Sequence, residues 1–372
     1  EEKMTKVKPE FIDQVKKLGA FDISACYNCG NCTAICPLSN ENHSFPRKLI
    51  RYSLLGIEEK ITAAPDLWLC YYCGECSDTC PREADPGGLM MALRRWAIRK
   101  YSLGKIADLF YGRISSWLTW IILTFVASLG IIYFRNPHPD TAQAVPISFI
   151  GLDFLHTAGL AMGLFIAFFA LAHILIMLKS LNKNPSLPSR SPQKLLTSLI
   201  KVITNEIILQ KRFRDCSESD RYLPHLALFW GFAGLFLATI LVFGADFYGF
   251  PEISRLFAKI LGIIFGLILL YGAGYFILLR LQRPNNYSEY SHPSDWLFLL
   301  WMFLAGLTGF ILDIFKWLNL PWPTYIAFAF HLVIVFNLLV TAPFTKFAHA
   351  LYRPLALWLA GEEESPSSET TT

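Results

Sequence analysis

Eight of the nine cysteines in this 372-residue chain fall into two runs with the same spacing. The first run is Cys26-x2-Cys29-x2-Cys32-x3-Cys36-Pro37, and the second is Cys70-x2-Cys73-x2-Cys76-x3-Cys80-Pro81. Three closely spaced thiolates can surround one corner of an iron–sulfur cubane, while the fourth cysteine of such a run reaches the other cluster. We therefore predict two [4Fe–4S] clusters, one held by Cys26, Cys29, Cys32 and Cys80 and the other by Cys70, Cys73, Cys76 and Cys36.

Disulfide bonds and structural zinc are the alternatives for these cysteines. An intracellular location disfavours disulfides, and four-cysteine zinc sites usually separate two Cys-x2-Cys pairs by a longer loop. Thirty-three residues separate Cys36 from Cys70, and the apolar periodicity predicts helices over Phe45–Leu55 and Gly88–Tyr101. This pattern indicates a helical two-cluster ferredoxin domain. The ninth cysteine, Cys216, stands alone in a polar loop, and we assign it no role.

Five of the eight histidines lie in or at the edge of strongly apolar stretches: His156, His173, His225, His331 and His349. Ionisable residues are costly inside a membrane, so each is a functional candidate, although any one of them could simply bond a backbone carbonyl. His331 and His349 are eighteen residues apart. On one continuous helix that is five turns, which places both on one face about 27 Å apart. The spacing favours two histidine-ligated haems.

The depth inferred for each histidine decides how they pair. We predict an outer haem b between His156 and His331, and an inner haem b between His349 and either His225 or His173. His156 and His173 are seventeen residues apart, which turns them about 100° from each other on a straight helix. This favours His225 as the inner ligand and leaves His173 for a quinone pocket. Pro343 can kink the last helix and change this register.

Six apolar stretches must carry these histidines, and each is long enough to cross a bilayer. They are roughly Ile114–Phe134, Phe154–Leu178, Pro224–Phe247, Leu256–Leu281, Trp296–Phe315 and Pro323–Phe347. With 53% hydrophobic and 17% charged residues, the composition excludes a disordered or ordinary soluble protein. We predict an all-α chain, with a ferredoxin domain over residues 1–105, a six-helix transmembrane haem b domain over 106–360 and a polar tail over 361–372.

Basic residues predict the orientation. The connection from Lys179 to Arg221 carries nine lysines and arginines, whereas the connection from Arg135 to Asp153 carries only Arg135. We therefore expect the basic loop, both termini and the ferredoxin domain to be cytoplasmic. The chain shows no sign of a secretory signal before the cysteines, which agrees with this expectation. Within the basic loop, Leu195–Leu209 predicts a helix that either lies in the membrane interface or packs beneath the soluble domain.

The small net charge of +4 and the position of the basic residues beside apolar stretches make nucleic acid an unexpected partner. Neither a Cys-Cys-Gly motif nor a Gly-x-Gly-x2-Gly loop after a strand occurs in the sequence. We therefore do not expect the chain to bind flavin itself.

The cysteine runs, with Cys29-Gly30-Asn31-Cys32 in the first and Cys73-Gly74-Glu75-Cys76 in the second, resemble the C-type iron–sulfur subunit of heterodisulfide reductases. The helical half resembles their cytochrome b subunit and the gamma subunit of respiratory nitrate reductase. A single chain that joins both halves resembles the C-type membrane subunit of the quinone-modifying oxidoreductases of sulfate reducers, over nearly its whole length.

The resemblance implies roles for individual residues. His331 and His349 resemble the last-helix histidine pair of the nitrate reductase cytochrome, and His225 resembles the inner ligand on an earlier helix. The second histidine of that helix is missing, because Leu235 occupies its approximate place, and His156 is the candidate that replaces it.

The resemblance also implies an electron-transfer subunit of a quinone-dependent oxidoreductase complex. Electrons would pass between menaquinol and two heterodisulfide-reductase-A-like flavoprotein subunits, with adenylylsulfate reductase as the downstream partner in sulfate respiration. A quinone- or phenazine-coupled heterodisulfide reductase subunit is the first alternative. The second is a non-redox transporter or membrane anchor whose ferredoxin domain senses redox state.

Overall fold

The computed structural model describes residues 6–40, 43–135, 140–184, 191–214, 219–283 and 290–361. Within these ranges the chain is helical and contains no strand, only an isolated bridge between Asn40 and His43. The predicted all-α class is therefore confirmed. Cys216 and residues 362–372 of the predicted polar tail lie outside the described residues.

The amino-terminal part consists of short helices around the cysteine runs. They are α1 (Phe11–Lys16), α2 (Asn31–Ala34), α3 (Arg47–Leu54), α4 (Glu58–Thr62), α5 (Asp66–Leu69), α6 (Glu75–Asp78), α7 (Pro86–Tyr101) and α8 (Asp108–Tyr111). The helices predicted over Phe45–Leu55 and Gly88–Tyr101 are confirmed as α3 and α7. Helix α7 begins at Pro86 because proline suits the first helical position, and the Asp85 carboxylate accepts a 2.9 Å hydrogen bond from the Gly88 amide.

Six helices are long and apolar enough to cross a membrane, which makes the chain a multi-pass membrane protein. They are α9 (Ile114–Arg135), α11 (Leu152–Leu181), α14 (Tyr222–Phe247), α15 (Ile253–Gln282), α16 (Pro293–Trp317) and α17 (Pro321–Thr341). Between or after them lie α10 (Pro146–Ile150), α12 (Pro192–Lys201), α13 (Lys211–Arg214) and α18 (His349–Ala360). The first five predicted stretches agree with these helices within a few residues.

The last apolar stretch differs from its prediction. Helix α17 ends at Thr341, and two short 3-10 turns, Ala342–Phe344 and Lys346–Ala348, lead to a separate helix that begins at His349. Pro343 has no amide hydrogen, so it cannot continue the helical hydrogen bonding. His331 and His349 therefore lie on different helices, and the expectation that they share one face of a continuous helix is wrong.

The helix predicted over Leu195–Leu209 is present as α12 and a π-helix, Val202–Ile208. The Trp358 indole of α18 donates to the Leu195 carbonyl at 2.9 Å, so one side of α12 packs on the protein. Leu196 and Ile200 on the same helix are exposed. The helix thus has a packed side and an apolar exposed side, which is the arrangement expected at a membrane surface.

One hydrophobic core joins the amino-terminal part to the ends of the membrane helices. Trp68 of α5 lies 5.1 Å, ring centre to ring centre, from Tyr352 of α18, and both side chains are buried. Arg95 of α7 donates to the Leu18 carbonyl at 2.7 Å and to the Asp295 carboxylate of α16 at 2.6 Å. The core crosses residue 105, where we predicted a domain boundary, and that boundary stays a prediction.

A buried amide links two of the membrane helices. Asn337 of α17 accepts a 2.8 Å hydrogen bond from the Trp120 indole of α9, and its amide nitrogen lies 3.2 Å from the Thr124 hydroxyl. Asn337 is fully buried. In a membrane, such contacts fix how two helices pack, because the lipid offers no replacement partners.

We expect Asn337→Leu to lower the free energy of unfolding by about 1–2 kcal/mol, because Trp120 and Thr124 lose their partner. Thermal unfolding of the purified protein in detergent measures this change. The control is Ile122→Ala, which removes a 60% exposed side chain from α9. Equal stability of the Asn337→Leu variant and wild type would contradict the role given to this contact.

Candidate functional site

The two cysteine runs adopt the same local structure. In each run the second residue after the first cysteine has a positive φ, +58° at Asn28 and +59° at Tyr72. A glycine then follows, also at positive φ, before a one-turn helix: Gly30 before α2 and Gly74 before α6. The amides of Asn28 and Tyr72 donate to the Sγ of the first cysteine in their own run at 3.3 and 3.4 Å. Such N–H to sulfur bonds stabilise bound thiolates and tune cluster potentials.

The fold gathers the eight cysteines into two sets of four. The distal cysteine set, Cys26, Cys29, Cys32 and Cys80, lines one cavity, and the proximal cysteine set, Cys36, Cys70, Cys73 and Cys76, lines another. Each set combines three cysteines of one run with the last cysteine of the other run. The spacing of the runs predicts this grouping. The Asn31 amide of α2 also bonds the Thr79 carbonyl behind α6 at 2.7 Å, which holds the two runs together.

The arrangement suits a multi-iron cluster better than a single ion. All eight cysteines are free thiols. Across the described ranges, no three His, Cys, Asp or Glu side chains converge closely enough to hold one metal ion. The thiols instead surround a cavity, whereas four ligands of structural zinc meet at one point about 2.3 Å from each sulfur. The donor set therefore fits [4Fe–4S] clusters.

The two sets have different surroundings. Cys29 of the distal set is exposed, whereas Cys70 of the proximal set is buried. The Cys70 carbonyl accepts hydrogen bonds from two guanidinium groups, Arg94 of α7 and Arg353 of α18, the latter at 2.8 Å. Burial raises the pKa of the Cys70 thiol, and the positive charge of Arg94 opposes that rise. The proximal set therefore lies inside the protein, beside positive charge.

A cavity of about 260 Å³ adjoins the proximal set at the ends of the membrane helices. Tyr71 and Tyr72 line both this junction cavity and the pocket of the proximal set. Two of the predicted haem ligands, His225 of α14 and His349 of α18, line the junction cavity as well. The structure thus brings the predicted inner pair together, next to the predicted second cluster.

The ring nitrogens of His225 and His349 are arranged as in metal-binding histidines. The Nδ1 of His225 lies 2.7 Å from the Gln210 amide oxygen, and the Nδ1 of His349 is hydrogen-bonded to the Lys346 carbonyl. A ligating histidine typically donates one ring N–H to such an oxygen and binds the metal with the other nitrogen. Burial lowers the pKa of His349 to about 4, which keeps its imidazole neutral at physiological pH. The residues therefore fit a haem with two histidine ligands.

The predicted outer ligands have separate neighbours. The Nε2 of His156 lies 3.5 Å from the Asp246 carboxylate of α14, and its ring packs against Phe247 at 4.5 Å between centres. The Nδ1 of His331 lies 2.9 Å from the Thr308 hydroxyl of α16. These contacts do not join the two histidines to each other. The outer haem site stays a prediction.

His173 lies at the helix break. It is 1% exposed, and its Nδ1 lies 3.1 Å from the Pro343 carbonyl, which the break frees from helical hydrogen bonding. Its ring packs against Phe344 at 5.3 Å between centres. His173 does not line the junction cavity, so the structure separates it from His225 and His349. Its assignment to a quinone pocket stays a prediction.

Several residues of the junction cavity were not identified from the sequence. Gln210, which orients His225, follows the π-helix at a φ of +46°. Asp295 contacts Arg95, two hundred positions earlier in the chain. Lys346 and Arg353 carried a signal, but as markers of membrane orientation. Spacing along the chain does not predict such distant contacts. The π-helix is a feature that often marks functional sites, yet only the structure reveals it.

Comparison with known proteins supports the iron–sulfur assignment. Residues 22–84 match the family model for a 4Fe-4S dicluster domain. Over 108 residues the chain is 32% identical to a protein of Archaeoglobus profundus that is similar to the C-type subunit of heterodisulfide reductase, which covers 29% of this chain and 57% of the relative. Over 154 residues it is 30% identical to citrate utilization protein B of Escherichia coli, covering 39% and 40%. No solved structure matches.

The chain thus spans 57% and 40% of the lengths of these curated relatives. Together, the dicluster match, the similarity to a heterodisulfide reductase C-like protein and the six membrane helices define an iron–sulfur membrane protein of the oxidoreductase type.

The grouping of the cysteines predicts which substitutions act together. We expect Cys36→Ser and Cys76→Ser to alter one cluster signal, because both residues belong to the proximal set. Cys80→Ser and Cys32→Ser should alter the other signal. Electron paramagnetic resonance of the anaerobically reduced protein measures both signals. If Cys36→Ser and Cys32→Ser changed the same cluster, the grouping would be wrong, and stoichiometric zinc without iron would refute the clusters themselves.

Proposed function

We propose that this chain is the membrane electron-transfer subunit of a quinone-dependent oxidoreductase complex. It passes electrons between menaquinol and soluble subunits by way of haem b and two [4Fe–4S] clusters. The observation that supports this proposal best is the wall formed by Tyr71 and Tyr72, which lines both the proximal cysteine pocket and the cavity of His225 and His349. Two sites suited to redox cofactors are therefore neighbours.

Each part of the chain has a role in this proposal. The distal and proximal cysteine sets hold one cluster each, and His225 and His349 hold the inner haem. Haem iron and iron–sulfur clusters supply one-electron chemistry when bound, and the protein sets their spacing, ligands and dielectric surroundings. Gln210 and the Lys346 carbonyl orient the imidazoles, while the guanidiniums of Arg94 and Arg353 place positive charge beside the proximal set.

The remaining histidines belong to the membrane end of the pathway. We assign His156 and His331 to an outer haem and His173 to a quinone pocket, with His173 as the alternative inner ligand. Quinol oxidation releases two protons with two electrons, so acceptors are needed near that pocket. His156 has a carboxylate, Asp246, within 3.5 Å. This pair suits proton transfer as well as it suits a ligand and its supporting acceptor.

The distal set faces the soluble partners. Cys29 and the neighbouring Tyr27 are exposed, and Tyr27 is 71% exposed. We propose that two heterodisulfide-reductase-A-like flavoprotein subunits dock here, with adenylylsulfate reductase as the downstream acceptor in sulfate respiration, as in the quinone-modifying oxidoreductases. The excess of basic residues between Lys179 and Arg221 supports a cytoplasmic location for this side and the cytoplasmic membrane as the location of the chain.

A second candidate uses the same residues with another partner. The similarity to a heterodisulfide reductase C-like protein favours a quinone- or phenazine-coupled heterodisulfide reductase subunit. Midpoint potentials of the haems and clusters in the purified complex separate the two cases, because they give the direction in which electrons flow. A transporter or anchor with a redox-sensing ferredoxin domain would need neither a histidine pair in the junction cavity nor a cluster beside it.

The haem assignment predicts a defined optical result. We expect the dithionite-reduced protein to have the α band of a b-type haem, and His349→Ala to remove one haem because the inner haem loses an axial ligand. His331→Ala should remove the other haem. The difference spectrum of reduced against oxidised protein, scaled to protein concentration, measures both changes.

The control is His43→Gln, since His43 lies in the amino-terminal part, near Asp66 and outside the junction cavity. Wild-type protein that is purified anaerobically but contains clusters and no haem would contradict this part of the proposal. Loss of the same haem in the His349→Ala and His331→Ala variants would show that only one haem is present.

A further inference from the structure

One end of the junction cavity is strongly cationic. Asp295 of α16 accepts a 2.6 Å hydrogen bond from Arg95, and its other oxygen lies 3.3 Å from the Lys346 ammonium. Arg280 of α15 also lines this part of the cavity. Three cations therefore surround one carboxylate, which satisfies Arg95 and half-satisfies Lys346.

The other charged residues of the cavity do not compensate for this excess. Its lining contains six cations, Arg94, Arg95, Arg221, Arg280, Lys346 and Arg353, and two carboxylates, Asp295 and Glu206. Glu206 lies near Arg212 and Arg353, at 2.8 and 3.6 Å. Backbone carbonyls satisfy Arg94 and Arg353. The uncompensated charge is therefore centred on Arg280 and Lys346.

Arg280 has a hydrogen-bond donor that is not used. Its Nη1 donates to the Phe276 carbonyl of its own helix at 3.2 Å. Its Nε is buried and has no hydrogen-bond partner among the described residues. A buried, unpaired donor on a charged group is costly, so the arrangement calls for an acceptor that carries negative charge.

Lys346 connects this charge to the histidine pair. Its backbone carbonyl is hydrogen-bonded to the His349 ring, while its side-chain ammonium faces Asp295. Burial lowers the pKa of Lys346 to about 8, which is the effect of a desolvated ammonium with too little negative charge nearby. One residue thus lies both behind an imidazole and beside the cationic end of the same cavity.

We infer that Arg280 and Lys346 form a carboxylate-binding subsite, and that its occupants are the two propionate carboxylates of the haem held by His225 and His349. This inference rests on the proposed function, because it assumes a haem in the junction cavity. Charge-assisted hydrogen bonds from guanidinium and ammonium groups to carboxylates are among the strongest in proteins. The subsite orients the haem with its carboxylates toward α15 and α16 and supplies the missing acceptor for Arg280. A free dicarboxylate is the other source of the same chemistry.

The test compares haem with its dimethyl ester, which has the same iron and ring but no free carboxylates. The full-length chain is produced in a haem-deficient host, purified in detergent and titrated with each compound, with binding followed by absorbance. We expect wild type to bind haem at least about tenfold more tightly than the ester, since a factor of ten corresponds to about 1.4 kcal/mol. The Arg280→Met/Lys346→Met variant should bind both compounds with the same affinity.

Conservative variants separate a binding role from a structural one. Arg280→Lys and Lys346→Arg keep the charges and should retain most of the preference for haem over the ester. Lys316→Met removes a lysine from the far end of α16, outside the junction cavity, and serves as the matched control for loss of one charge. The Lys346 variants keep the backbone carbonyl that bonds His349, so the haem ligand stays oriented.

Three results would overturn the inference. One is equal affinity of wild type for haem and its ester. Another is an undiminished preference in the double methionine variant. The third is binding of succinate to the haem-loaded wild type but not to the double variant, which would assign the subsite to a free dicarboxylate. If wild type bound neither haem compound, the haem part of the proposed function would fail, so the two failures are distinguishable.

Discussion

The arrangement of this protein depends on the burial of charged groups where the cysteine-rich part meets the membrane helices. Arg94 and Arg353 reach the Cys70 carbonyl from opposite parts of the chain, and Arg95 is paired with Asp295 of a membrane helix. Removing one partner of a buried pair costs about 3–5 kcal/mol, because the remaining charge has no solvent. These contacts therefore permit one orientation of the two parts. That orientation places the proximal cysteine set beside the junction cavity.

The same burial sets the chemistry of the junction. Electrostatic interactions are stronger away from water, so the guanidiniums beside Cys70 influence any charge that develops on the proximal set. Net charge, hydrogen bonds and solvent exposure all set cluster potentials. The distal set has an exposed cysteine, whereas the proximal set is enclosed and lies near cations. Two identical motifs have thus acquired different surroundings.

The parts of the structure that the sequence predicts well are those fixed by local or simple constraints. The spacing of the cysteine runs predicts the grouping of Cys36 with the second run and of Cys80 with the first, because a short turn cannot bring all four thiols of one run to one cavity. The six membrane helices follow from bilayer thickness and apolar length alone. Their number and approximate ends are therefore readable without a structure.

The pairing of the histidines was harder to predict, because it depends on one backbone break. The spacing of His331 and His349 assumes a regular helix, and Pro343 interrupts it. His173 accompanies that break by contacting the Pro343 carbonyl. Contacts such as that between Arg95 and Asp295 join residues two hundred positions apart, and no local pattern encodes them. The cationic end of the junction cavity consists of such contacts, so only the fold reveals it.

In the proposed pathway, the junction cavity links the proximal cysteine set to the quinone end of the membrane helices. The most direct measurement mixes the pre-reduced protein, freed of dithionite, with a short-chain menaquinone and follows cluster oxidation by rapid-freeze electron paramagnetic resonance. Wild-type clusters should be oxidised quickly, whereas the clusters of the His349→Ala variant should remain reduced for much longer, although dithionite reduces them fully. Equal oxidation rates in wild type and variant would contradict this pathway.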